Sequence, residues 1–180
     1  MRTFVAVEIS NESTLNAIAK LQSDLKIEAK PVSKENMHFT LLFLGEISDE
    51  MAPKIMESLS SVSFSPIEMN FVDVGAFPNP KSPHVVWIGV DKDAAKNLVE
   101  LAVQVEEKLR PLGFRSDKLF KPHLTIFRIK SRINDISQEL NKFRALEIGH
   151  ETISELKFKK SILTPTGPIY SDLQVVKARQ

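Results

Sequence analysis

Two short stretches of this chain carry side chains able to move protons near neutral pH. Met37-His38-Phe39-Thr40-Leu41-Leu42-Phe43-Leu44-Gly45 and Pro122-His123-Leu124-Thr125-Ile126-Phe127-Arg128 each place a histidine two residues before a threonine inside an apolar run. Side chains alternate faces along a strand, so His38 and Thr40 share one face while Phe39, Leu41 and Phe43 share the other. The same pattern sets His123 and Thr125 against Leu124 and Ile126. An imidazole titrates near pH 6.5, so of two facing rings one can rest neutral as a base and the other charged as an acid. Breaking a phosphodiester needs one proton taken from the attacking oxygen and another delivered to the departing oxygen, on opposite sides of phosphorus, and two histidines suffice for both. Each role contributes about 10²- to 10⁴-fold in rate. The threonine hydroxyls, short and stiff at χ1, can donate hydrogen bonds to the non-bridging phosphate oxygens. Such a site needs no metal.

A single H-x-T in a strand is ordinarily a core or edge histidine. Two copies 85 residues apart, at matching places in the chain, point to a constellation. The rival use of histidine, a zinc site, finds no H-E-x-x-H, no H-x-H and no cysteine, so neither metal nor other cofactor is expected. His84 and His150 lack a threonine partner and are expected to be structural or surface residues. With six glycines and neither G-x-x-x-x-G-K nor G-x-G-x-x-G, nucleoside triphosphate chemistry is not expected, and G-x-S-x-G is also missing.

Cationic residues gather around the second motif. Lys118, Lys121, Arg128, Lys130 and Arg132 are opposed within that span only by Asp117, which implies an anionic substrate. Strict alternation puts Arg128 on the face opposite His123, so its reaching a phosphate requires a bulge or a strand end. Lys157, Lys159 and Lys160, with Phe158 among them, are expected to form a solvated strand face.

The elements that must hold these groups read as two rounds of one order. Strand Thr3 to Ile9 is followed by capping residues Ser10-Asn11-Glu12-Ser13 and a helix to about Lys26. Strand His38 to Ile47, a helix from Ser48-Asp49 with Pro53 in its first turn, and strand Ile67 to Val74 complete the first round. The second runs through strand His84 to Val90, helix Asp91 to Leu109 ended by Pro111 and Gly113, strand His123 to Ile129, and helix Asn134 to Phe143. Strands Thr152 to Leu163 and Ile169 to Val176 follow, joined by a turn at 164–168. Both halves thus read strand, helix, H-x-T strand, helix, strand, the order a duplication would leave. The expected organisation is one bilobal domain over 1–180, with sequence halves of about 1–76 and 84–180 and a hinge at about 77–83.

Composition bounds the rest. The 180 residues, 42% hydrophobic and 26% charged, suit a folded domain with a sizeable core, and a formal charge of +1 leaves local patches to decide the partner. The absence of cysteine fits a reducing compartment. Glu8 interrupts the first apolar run too early for a signal peptide or membrane span, so a cytoplasmic location without membrane attachment is expected.

At the two motifs the chain resembles the two-histidine phosphoesterase superfamily, specifically its RNA 2',3'-cyclic phosphodiesterase branch, also called 2'-5' RNA ligase. Arg2-Thr3-Phe4-Val5-Ala6-Val7, Phe39-Thr40-Leu41-Leu42-Phe43-Leu44-Gly45, Ala76-Phe77-Pro78-Asn79-Pro80, Trp87-Ile88-Gly89-Val90, Lys121-Pro122-His123-Leu124-Thr125-Ile126 and Gly167-Pro168-Ile169-Tyr170 carry the resemblance. It implies a bilobal α+β fold. Duplicated lobes related by a pseudo-two-fold each hold a largely antiparallel β-sheet with helices on its outer face, around a central cleft. Terminal strands of such proteins cross between lobes. The implied reaction opens a 2',3'-cyclic phosphate at an RNA end to a 2'-phosphate, and in reverse joins ends through a 2'-5' linkage without ATP.

The same resemblance makes His38 the proton donor, His123 the proton acceptor, and Thr40 and Thr125 phosphate ligands. Arg128, Lys121, Tyr170 and Phe77 become candidate substrate-binding residues. The implied partner is RNA with a 2',3'-cyclic phosphate end, transfer-RNA fragments among them, acted on by a monomer. Lys81-Ser82-Pro83-His84 departs from the Arg-Arg-Pro-Arg common in related sequences and carries less positive charge. A binding module for phosphorylated RNA ends is the alternative from another class, and a structural α+β domain with buried histidines is a third. Arginine and lysine would serve a binding module better than a titratable pair.

Overall fold

The computed structural model describes residues 1–180. Its elements in chain order are β1 (Arg2–Glu8), α1 (Glu12–Asp24), β2 (Lys30–Pro31), β3 (His38–Glu46), α2 (Met51–Ser60), β4 (Ile67–Phe77), β5 (Val85–Val90), α3 (Lys92–Leu109), β6 (Leu124–Arg128), α4 (Ser137–Asn141), β7 (Glu147–Ile153), β8 (Glu155–Thr164) and β9 (Gly167–Lys177). The two long helices begin where a short polar side chain can accept an orphan amide. Asn11 takes the Thr14 N–H at 3.2 Å and Asp91 takes the Ala94 N–H at 2.9 Å. No helix is long and apolar enough to cross a membrane.

The strands form two antiparallel sheets, one in the order β3-β1-β8-β9 and the other β2-β6-β5-β4-β7. Neither sheet belongs to one half of the sequence. Strand β4 leaves the first half to pair with β5 and β7, while β8 and β9 leave the second half to pair beside β1. Helices cross over as well: α1 packs on β7 and β6, and α3 lies between β4 and β3. Glu151, buried on β7, accepts the backbone amides of Ser10 and Asn11 at 3.1 and 2.9 Å and so ties the start of α1 to the opposite sheet. One continuous core of 39 buried residues runs through both sheets, so they do not have separate interiors. Phe39 of β3 stacks on Phe71 of β4 at its centre, ring centroids 6.2 Å apart.

Several boundaries differ from the sequence reading. Residues Thr152 to Leu163 are not one strand: the chain leaves β7 at Ser154 and enters β8 in the other sheet. Sheet exchange is invisible to periodicity because both strands keep the same alternation. Helix α4 is only Ser137–Asn141, and β4 extends to Phe77, the first residue of the expected hinge. The two-residue strand β2, paired to Phe127 and Arg128, has no signature of its own.

Candidate active site

Each motif strand sits beside the strand that opens its half, β3 against β1 and β6 against β5, with the short β2 added on the far side of β6. His38 starts β3, and His123 immediately precedes β6. Both strands then break alternation in the same way. In β3, Val5 pairs with Leu42 and Ala6 with Thr40, leaving Leu41 as an extra residue. In β6, Val86 pairs with Phe127 and Trp87 with Thr125, leaving Ile126 extra. Leu41 and Leu42 are therefore both buried, as are Ile126 and Phe127. The residues that follow, Phe43 and Arg128, are returned to the threonine side. Strict alternation would have hidden Arg128; this bulge brings it to the cleft.

His38, Thr40, Phe43, His123, Thr125 and Arg128 all line one cleft of about 460 Å³, walled on one side by the loop 115–121. Lys121 lies on that wall. Phe43 is 65% exposed there, at the place equivalent to Arg128, and the sequence reading missed it by assigning it to the buried face. The bulge signal was present as two consecutive large apolar residues followed by one out of phase, but it is not specific.

Aromatic rings bracket each histidine. His38 lies 5.3 Å from Phe4 and 5.3 Å from Tyr170, the latter edge-on. His123 lies 4.1 Å from Trp87 and 4.9 Å from Phe77, again edge-on. Phe77 and Tyr170 thus each meet an imidazole edge-on without lining the cleft itself, although Tyr170 lines a groove beside it, and Lys121 Nζ stands 5.8 Å over the Phe77 ring. Gly75 makes room for this packing, because a Cβ there would come within 2.1 Å of the Trp87 ring.

The imidazoles differ in their polar neighbours. His38 Nδ1 donates to the Asn36 carbonyl at 2.7 Å, which leaves Nε2 of the neutral ring to accept from the Thr40 hydroxyl at 3.0 Å. His123 Nδ1 is buried without a fully formed hydrogen bond. Burial lowers the pKa of both rings below the ordinary imidazole value. At His38 the Asn36 carbonyl and then the Glu8 carboxylate oppose that fall, while Arg128 and Lys159 add to it. At His123 the Lys121 carbonyl opposes it and the Lys121 ammonium adds to it, with no carboxylate contributing.

Glu8 belongs to a charge quartet beside the first motif. It pairs directly with His38 across the sheet, and directly opposed residues project from the same face. Lys157 Nζ contacts Glu8 at 2.9 Å and Asp172 at 3.0 Å; Lys159 Nζ contacts Glu8 and, at 2.6 Å, Asp172. This corrects the expectation of a solvated lysine face: Lys159 is only 6% exposed and Lys157 is half-buried. Burial alone would lower the Lys157 pKa and raise that of Asp172, but contacts with Glu8 and Asp172 at the lysine, and with Lys159 and Lys157 at the aspartate, together outweigh it. His84 and His150 stand outside the cleft, His150 bonded to Glu68 at 2.7 Å and Asn70 at 3.1 Å. No group of three or more His, Asp or Glu side chains is arranged to hold a metal ion.

The LigT-like phosphoesterase family matches the chain twice, over residues 7–87 and 88–170, one match for each H-x-T strand. The chain belongs to that family. It is 45% identical over 177 residues to an RNA 2',3'-cyclic phosphodiesterase of Archaeoglobus fulgidus, covering 97% of this chain and 99% of that one. It is 38% identical to the Methanocaldococcus jannaschii protein of the same name, over 94% and 96% of the two chains. Among solved structures, TT0787 of Thermus thermophilus superposes with a TM-score of 0.80 at 26% identity, over 98% and 97% of the chains. LigT of E. coli, solved with 3'-AMP, shares the fold with a TM-score of 0.79 at 22% identity, over 99% and 98%.

Proposed function

We propose that this LigT-like phosphoesterase hydrolyses 2',3'-cyclic phosphate ends of RNA to 2'-phosphates by two-histidine acid-base catalysis. The observation that carries the reading is the meeting of both H-x-T motifs and Arg128 in one cleft, each placed by a bulged strand from a different sheet. The A. fulgidus and M. jannaschii relatives support the substrate. In the reaction His123 Nε2 takes a proton from the attacking water as its oxygen bonds to phosphorus. His38, protonated, gives its Nε2 proton to O3' as the O3'–P bond breaks, leaving the phosphate on O2'. Thr40 and Thr125 donate to the non-bridging oxygens and Arg128 balances the charge that gathers on them.

The family resemblance makes His38 the acid and His123 the base; Glu8, the one carboxylate acting on either ring, opposes at His38 the fall that burial, Arg128 and Lys159 impose. Phe43 and Arg128, at equivalent places on the two motif strands, suit a base held between an aromatic ring and a guanidinium. With a 5'-hydroxyl in place of water, the same proton transfers join two ends through a 2'-5' linkage as the O3'–P bond breaks. One chain carries both H-x-T motifs and so the whole acid-base pair, which fits a single bilobal unit working as a monomer. Cytoplasmic RNA ends, transfer-RNA fragments among them, are its substrate class.

The test incubates the protein with a nucleoside 2',3'-cyclic phosphate in EDTA and follows products by phosphorus NMR. Wild type accumulates the 2'-monophosphate, while His38→Ala and His123→Ala each lose about 10²- to 10⁴-fold in kcat. Binding without turnover by wild type, or full turnover by both variants, overturns it.

A further inference from the structure

An RNA longer than one nucleotide must leave the cleft, since its 3' end reacts and its chain continues from the 5'-phosphate of the terminal nucleotide. Three cavities mark a route. The cleft shares His38, Val32, Asn36 and Arg128 with a groove of about 390 Å³ beside the turn between β8 and β9. That groove shares Lys130 with a further hollow of about 460 Å³ lined by His84 and Arg132. Positive charge follows the same path. Lys30, Arg128 and Lys130 line the groove against Glu35 alone, and Lys130 and Arg132 line the hollow with no carboxylate. Arg128 ends β6, and Lys130 and Arg132 follow it at every second residue of the chain that leaves the strand. The groove's other wall, beyond Thr164 and Thr166, carries an apolar stretch: Pro168 and Ile169 line it with Tyr170, and Ile169 is 59% exposed. A cationic floor beside an apolar stretch is the arrangement that grips single-stranded nucleic acid, phosphates on one side and base faces on the other. Loop 115–121 is also basic, but it forms a wall of the cleft, and none of these continuing hollows includes it.

We propose that this path, from Arg128 past Lys130 to Arg132, is a subsite for the phosphates of the RNA body upstream of the reacting end. It rests on the hydrolytic reading above and adds that the protein favours oligonucleotides over mononucleotides. Lys30 is a poor probe, because its Nζ donates to the Thr166 carbonyl at 3.0 Å and holds the turn. Lys130 and Arg132 are exposed, and the reacting groups do not depend on them.

The test compares kcat/KM for a nucleoside 2',3'-cyclic phosphate with that for a four-nucleotide RNA ending in the same group, from low to moderate salt. Wild type turns over the oligonucleotide more efficiently and with the steeper salt dependence. Lys130→Gln/Arg132→Gln loses several-fold on the oligonucleotide, and its salt slope flattens by about 1.4, or about 0.7 for each lost phosphate contact. Its mononucleotide turnover stays at the wild-type value, which also shows that it is folded. Lys130→Arg/Arg132→Lys restores the oligonucleotide rate. Equal efficiency on the two substrates by wild type, or an unchanged oligonucleotide rate in the double Gln variant, overturns the subsite and leaves the hydrolytic reading standing. Failure of wild type on both substrates overturns the hydrolytic reading itself.

Discussion

Phe43 and Arg128 show how one position in a repeated frame takes two roles. Each is the third residue after its motif threonine and each returns to the cleft through an extra residue in the strand. Base stacking on an aromatic side chain is worth about 1–3 kcal/mol. Phe43→Ala is therefore expected to raise KM for nucleoside cyclic phosphates about 5- to 150-fold, while the melting temperature, set by the core beneath, stays nearly unchanged. A thermal melt beside the kinetic assay separates the two effects. The histidines make a second claim at this scale. On the proposed mechanism, kcat/KM follows the product of one neutral and one protonated imidazole, which peaks between the two macroscopic pKa values of the pair. Both lie below about 6.5, so the bell should crest on the acid side of that pH; a crest near 8 would contradict the burial argument. The same shift acts on stability. Between the folded and unfolded values the native protein binds fewer protons, so stability is full above about 6.5 and declines as pH falls through the folded values.

At the scale of elements, Gly75 of β4 and Trp87 of β5 form a close approach with a catalytic consequence. Gly75→Ala forces the indole to move, and the indole is one of two rings bracketing His123. Overpacking of this kind costs about 1–3 kcal/mol. The variant is expected to melt several degrees lower and to lose kcat more than KM, measured by calorimetry and steady-state kinetics. How far such details could be read from the sequence varied by element. The motif strands were legible because a histidine and a threonine on one face of an apolar run are out of place in a plain core strand, and because the pattern occurs twice. The bulges were not, since pairing to β1 and β5 creates them and local propensity does not. The quartet was missed for a related reason: Lys157 and Lys159 looked solvated because Glu8 lies 149 and 151 residues away in sequence. Nothing local says that β1 and β8 will be neighbours.

At the scale of the molecule, the exchange of β4 against β8 and β9 makes each lobe depend on both halves of the chain. The core is continuous, and Glu151 fastens α1 to the far sheet. Loss of either lobe should therefore be loss of both. Thermal inactivation and the melt of secondary structure are expected to share one midpoint, as a cooperative transition requires, and an activity loss many degrees below the circular-dichroism melt would contradict this. The frame is doubled but its chromophores are not. The chain's single tyrosine stands edge-on to His38, and its single tryptophan stands against His123. Each half of the site therefore carries its own optical reporter. Emission from Trp87 is expected to sense the charge on His123, and ultraviolet absorption from Tyr170 the charge on His38. The unlabelled protein thus offers a separate optical view of each imidazole.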